Sequence, residues 1–261
     1  MLITLSPSKG QDFDVAAPTR KHTKPLQLKD SEELIAQLRK YKVDDIKDLM
    51  SVSDNIAELN VGRYDRFSTP FTTKNAKQAL FAFQGDVYGG IDVDSFSDED
   101  LGYAQDHLRI LSGLYGCLRP LDLIQPYRLE MKTKLANPRG DNLYQFWDDS
   151  ITGVLNKVLK QQQTPVLVNL ASNEYFKSVK PKQLDGDVLN INFKEKKDGK
   201  TRIVAIFAKR ARGLMTDYII RNRIEDPADL RGFDSEGYRF SSKLSDESQL
   251  TFVRPQPAAR S

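Results

Sequence analysis

The stretch from Ser112 to Pro138 constrains the fold more than any other part of the chain, because it sets Gly113, Gly116, Pro120, Pro126 and Pro138 among closely spaced hydrophobic residues. Proline removes a backbone donor and glycine weakens regular elements, so no long helix or unbroken strand runs through it. Its leucines and tyrosines still need burial. The segment is therefore expected to be irregular backbone packed on a core, the kind of segment that builds sites. Apolar residues make up 39% of the 261, enough for a sizeable core. No break in composition divides the chain, so one α+β domain is expected over 1–261, with a Pro-rich tail fraying over 254–261.

Around this segment the pattern alternates between strand and helix. Leu2 to Leu5 and Val166 to Leu170 read as short buried strands. Ser31 or Asp30 caps a helix ending near Tyr41, and Asn75 to Phe83 is a further short helix. Ser97 with Asp100 forms a capping box for a helix through Leu111. Leu143 to Leu159 returns to helical spacing. Ile191 to Lys196 and Thr201 to Phe207 flank Lys197-Asp198-Gly199-Lys200, whose Asp-Gly pair predicts a hairpin. Lys209 to Arg223 reads as a basic helix, and short strands follow in Gly232 to Val253.

The charge balance is only +3, but its distribution is uneven. Lys177 to Arg223 holds thirteen basic against five acidic residues, a local +8, whereas Asp92 to Asp106 holds six acids and no base. An electrostatically two-sided molecule is expected. Cys117 is the single cysteine and His22 and His107 are the only histidines, so neither an intrachain disulfide nor a His/Cys zinc site is expected. Cys117 lies beside Leu118 and is expected to be buried and inert. No apolar run approaches a membrane span, and a cytoplasmic monomer without metal or cofactor is expected.

Several ordered motifs then stand out: Ser6-Pro-Ser-Lys9, Gly113-Leu-Tyr-Gly-Cys-Leu-Arg-Pro-Leu-Asp122, Gln125-Pro-Tyr-Arg-Leu-Glu-Met131, Leu143-Tyr-Gln-Phe-Trp147, Asn169-Leu-Ala-Ser-Asn-Glu-Tyr175 and Lys209-Arg-Ala-Arg-Gly-Leu-Met215. Together they resemble the bacterial YaaA family nearly end to end. The resemblance implies resistance to hydrogen peroxide, a limit on free iron and oxidative DNA damage, and a mixed fold whose basic cleft binds duplex DNA.

Three sets of residues are candidates for function. For backbone-directed DNA binding they are Lys9, Arg63, Arg66, Arg109, Arg119, Arg128, Lys132, Lys209, Arg210 and Arg212, with Lys209 to Arg212 expected at a helix start. Asp44 to Leu49 and Ser53 to Asn60 suggest a helix-hairpin-helix. Its turn, Ser53-Asp54-Asn55, lacks the glycines that let a phosphate approach, and a packed helical corner is the competing reading. The alternative to DNA binding is an enzyme acting on a nucleotide or damaged base. Ser6 and Lys9 after one strand, Asn169, Ser172 and Glu174 after another, and Glu130 would then form a pocket, with Lys9 gripping phosphate and Glu130 or Glu174 as acid or base. Tyr115 and Tyr127 are read as core plugs rather than base-stacking platforms.

Overall fold

Leu2–Leu5, strand β1, is buried along its whole length, as expected for a strand covered on both faces. The computed structural model, which describes residues 1–257, places it in the middle of a mixed sheet. Lys77–Gln78 (β2) and Leu123–Ile124 (β5) form a small separate ladder. The main sheet takes Leu108–Ser112 (β3), Gly116–Leu118 (β4), Val166–Asn169 (β6), Asp187–Lys197 (β7), Lys200–Arg202 (β8), Arg239–Phe240 (β9) and Gln249–Pro255 (β10). Its order is β4-β3-β1-β6-β7-β10-β9, with β8 folded back on β7. The inner strands β3, β1, β6, β7 and β10 are parallel, and β4, β8 and β9 are antiparallel to their neighbours.

The helices are Leu28–Leu38 (α1), Val43–Met50 (α2), Asp54–Arg66 (α3), Ala79–Ala82 (α4), Asp98–His107 (α5), Leu143–Trp147 (α6), Ser150–Leu159 (α7), Asn173–Phe176 (α8) and Ala205–Asn222 (α9). This is the single mixed domain that the sequence implied. The chain leaves β1 to form β3 on one side and later β6 on the other. Loops therefore diverge at the carboxyl end of β1, the place where open α/β sheets form ligand crevices.

Several local expectations change. Ser31 sits inside α1, where its hydroxyl donates to the Gln27 carbonyl at 3.1 Å, instead of capping it. Asn75 to Phe83 divides between β2 and α4. The Ser97–Asp100 capping box is present, but α5 stops at His107. Leu108–Ser112 is drawn into the sheet as β3, buried throughout, because a short apolar run fits a buried strand as well as a helix. Asp198 and Gly199 make the hairpin turn with positive φ. The second strand is short because the Val204 N–H turns to the buried Glu195 carboxylate at 3.2 Å and α9 begins at Ala205. Arg254 and Pro255, assigned to the fraying tail, instead pair with β7, and 258–261 lie outside the described residues.

One crossing fixes α9 in place. Gly213 faces the short turn Tyr88–Gly90 so closely that an added β-carbon would collide with the Val87 carbonyl, and one on Gly90 would strike the Arg210 carbonyl. Both obstacles are backbone. Gly213→Ala is therefore expected to cost at least the roughly 1–3 kcal/mol of an overpacked core. A urea melt checks this, and an unchanged midpoint would mean the crossing is looser than described.

Candidate functional site

Two strand-end loops are clasped together at the carboxyl edge of the sheet. Ser6 follows β1, and its hydroxyl oxygen accepts the Ser172 N–H at 2.8 Å while lying 3.3 Å from the Ser172 hydroxyl. The Ser6 carbonyl accepts the Tyr88 hydroxyl at 3.0 Å, which joins the α9 crossing to the same floor. Asn169 faces away. Its amide group reaches Asn190 at 2.9 Å and accepts the Ala171 N–H at 3.0 Å, so it fastens the loop to the sheet.

Above this floor lies a cavity of about 470 Å³, lined among others by Ser6, Lys9, Glu130, Ser172, Glu174 and Arg212. The Gly/Pro segment supplies Glu130, since Gly113 lies directly against the backbone of Leu129 and Glu130. Glu130 gathers Lys9 at 3.0 Å, Arg128 at 3.2 Å and Lys132 at 3.5 Å. Burial alone would raise its pKa, but the hydrogen bond and charge of Lys9, with Lys132 and Arg128, outweigh burial and hold it below the usual carboxylate range. Glu174 accepts the Lys132 N–H at 3.3 Å. The side chains of Lys9, Lys132 and Lys209 are 60%, 65% and 56% exposed against 12% for Glu130, so the lysines form the rim.

Arg212 differs from its neighbours. It is half-buried in the cavity wall, and its guanidinium has no ion pair or hydrogen bond among the described residues. Burial pulls its pKa down from the ordinary value, but an arginine stays charged.

The cationic candidates thus separate. Lys9, Lys132, Lys209 and Arg212 converge on the cavity, and Lys209 lies 4.0 Å from Asp86. Arg210 does not converge with them: it bonds Glu236 at 2.6 Å and the Gly89 carbonyl at 2.7 Å. Arg109 is buried on β3 and donates to the carbonyls of Gln105 at 2.8 Å and Leu108 at 2.7 Å. Arg119 clamps Asp122 at 2.8 Å and the Lys24 carbonyl at 2.9 Å. Arg63 donates to Asn60 at 3.3 Å and, with Arg66, borders a separate groove beside Gln125. Lys209 to Arg212 lie inside α9 rather than at its start, so their backbone N–H groups serve the helix.

α2 and α3 form a helical pair joined through Ser51, which has positive φ. Ser53, Asp54 and Asn55 begin the second helix, and Asp54 pairs with Lys47 at 2.6 Å, which puts an acid at the turn. Tyr115 and Tyr127 pack edge to face in the core at 5.1 Å. Cys117 is buried, and burial pushes its thiol up to about 12. Sequence reasoning missed Asp86 as the counter-ion of Lys209 and missed the seating of α9. The Gly89-Gly90 doublet is the signal that marks a close backbone approach.

Glu130 also predicts a pH response. Its folded pKa is depressed, so its contribution is present above the unfolded value of about 4.3 and is lost as pH falls through the folded one. Stability is expected to decline below pH ~4.5, and Glu130→Gln should flatten part of that decline in acid titrations followed by circular dichroism.

A parallel-centred sheet with a polar, cation-rimmed crevice at its strand ends defines an α/β protein. Over residues 1–244 the chain matches the family described as peroxide stress protein YaaA, and it belongs to that family. It is 54% identical over 256 residues to a UPF0246 protein of Saccharophagus degradans, covering 98% of this chain and 100% of that protein. It is 53% identical over 256 residues to a UPF0246 protein of Alteromonas mediterranea, covering 98% and 99%.

Proposed function

We propose that the protein serves peroxide stress by binding duplex DNA along the carboxyl edge of its sheet, recognising backbone and shape, and so helps limit iron-dependent oxidative damage to DNA. The observation that carries this reading is the placement of charge. Lys196, Lys197 and Lys200 on the β7–β8 hairpin are exposed and have no ion pair among the described residues. The rim lysines Lys9, Lys132 and Lys209 surround the cavity, with Arg212 behind them. At the other end of α9 part of the acidic segment is already paired: Arg221 with Asp92 at 3.5 Å and Arg223 with Asp100 at 2.9 Å. A polyanion approaching the hairpin and rim therefore meets net positive charge.

The test is equilibrium binding of the full chain to labelled duplex over a series of salt concentrations. Affinity should fall steeply with salt, because each neutralised phosphate releases counterions. Affinity indifferent to salt would end the reading.

The enzyme reading draws on the concave cavity. Glu130 is ill suited to be its acid, since a general acid needs a raised pKa and Glu130 has a lowered one. Glu174 remains as its candidate acid or base.

A further inference from the structure

The geometry points to the strand-end cavity as a site for a single nucleotide unit, with its phosphate on Arg212 and its base against the apolar wall. The volume of about 470 Å³ falls in the range of roughly 300–1,000 Å³ typical of small-ligand sites. A duplex cannot enter such a space, so an occupant of the cavity would be smaller than the helix resting on its rim.

The lining is divided by chemistry. Among the cations, Lys9 and Lys132 already share Glu130, and Lys209 has Asp86 within 4.0 Å, while Arg212 is unmatched among the described residues. One unmatched guanidinium lining the same cavity as two serine hydroxyls suits one phosphate, which Arg grips through paired N–H donors. Ser6 already accepts the Ser172 N–H, so the clasped hydroxyls sit in fixed positions on the floor. Pro7, Val87, Leu170 and Tyr175 give an apolar wall. Glu174 is a carboxylate acceptor for the amino or imino hydrogens of a base. The sequence motifs Ser6-Pro-Ser-Lys9 and Asn169 to Tyr175 supply this constellation, and backbone-directed duplex binding leaves it without a task.

The nucleotide has two sources: a free nucleoside monophosphate, or one nucleotide turned out of a strand held on the rim. The second rests on the duplex-binding reading and the first does not. Turning a base out is least costly where it is unpaired.

The full chain is titrated calorimetrically with a nucleoside 5′-monophosphate, the matching nucleoside and inorganic phosphate. In parallel it is mixed with a duplex carrying a bulged 2-aminopurine, whose fluorescence reports unstacking. The expected result is monophosphate binding at least tenfold tighter than either fragment, or a fluorescence change on the bulged duplex. In each case Arg212→Gln and Ser172→Leu should abolish the signal, and Ser172→Leu should leave plain-duplex binding in place. Conversely, Lys197→Glu with Lys200→Glu should weaken plain-duplex binding and leave monophosphate binding unchanged. A signal from the bulge alone assigns the site to an extruded nucleotide. Monophosphate binding without any duplex binding keeps the cavity and removes the duplex reading. Plain-duplex binding with neither signal, or signals undiminished in both cavity variants, overturns the proposal. The Arg212→Gln variant, whose melting is compared with the parent, guards against misfolding in Ser172→Leu.

Discussion

Replacing Glu195 by alanine is expected to lower the melting temperature by roughly 10 °C. Glu195 is fully buried on β7, where it accepts the Tyr238 hydroxyl and the Val204 N–H at 3.2 Å and lies 3.5 Å from Arg254. Arg254 is only 5% exposed, pairs with Glu236 at 3.0 Å, and lies over the Tyr238 ring at 4.3 Å. Removing the carboxylate leaves a buried guanidinium with Glu236 alone as its counter-charge and a buried hydroxyl without an acceptor. Breaking a buried pair from one side costs about 3–5 kcal/mol. At roughly 2–4 °C per kcal/mol for a domain of this size, the shift follows. Glu195→Gln keeps an acceptor and should lose less, and Glu195→Gln with Arg254→Met should recover part of the loss. Scanning calorimetry decides: a melting temperature within about 2 °C of the parent would mean that β7, β10 and α9 hold together without the network.

The second large effect concerns binding. Replacing Lys197, Lys200 and Lys209 together by glutamate is expected to lower duplex affinity by about a hundredfold or more at moderate salt. The slope of log affinity against log salt should become shallower by about three, near one for each phosphate no longer neutralised. Arg210→Glu is the control. Its guanidinium is spent on Glu236 and Gly89, so this change should act on stability, and the salt slope should stay the same. Fluorescence anisotropy at several salt concentrations separates the two. An unchanged slope in the triple variant would place the duplex on another face.

Much of this architecture was legible in the residues. Continuous apolar runs marked β1 and β6, Asp198-Gly199 marked the hairpin, and Ser97 with Asp100 marked the start of α5. What was hidden is tertiary. Leu108–Ser112 carries no local sign of being a strand, because a short buried run has the same apolar content in either conformation. Which arginine is free was equally hidden. Arg210 and Arg212 stand two residues apart on one helix, yet one is tied to Glu236 and the other faces the cavity. Helix geometry separates them by more than half a turn, and only the positions of Gly89 and Glu236 decide which is taken. The grouping of Lys9, Glu130, Ser172 and Glu174 was legible as loops at strand ends, although Asn169 turned out to belong to the sheet.

The meeting of Gly213 with the turn at Gly90 has a consequence for selectivity. Two backbones packed together without side chains have no rotamers through which to yield, so the wall that carries Arg212 is pre-organised. Adaptation is left to the lysines at the mouth, whose long stems keep their freedom. For the nucleotide site proposed above, this arrangement would select by size at the floor and tolerate variety at the entrance, as a receptor for one repeating unit borne on many different carriers requires.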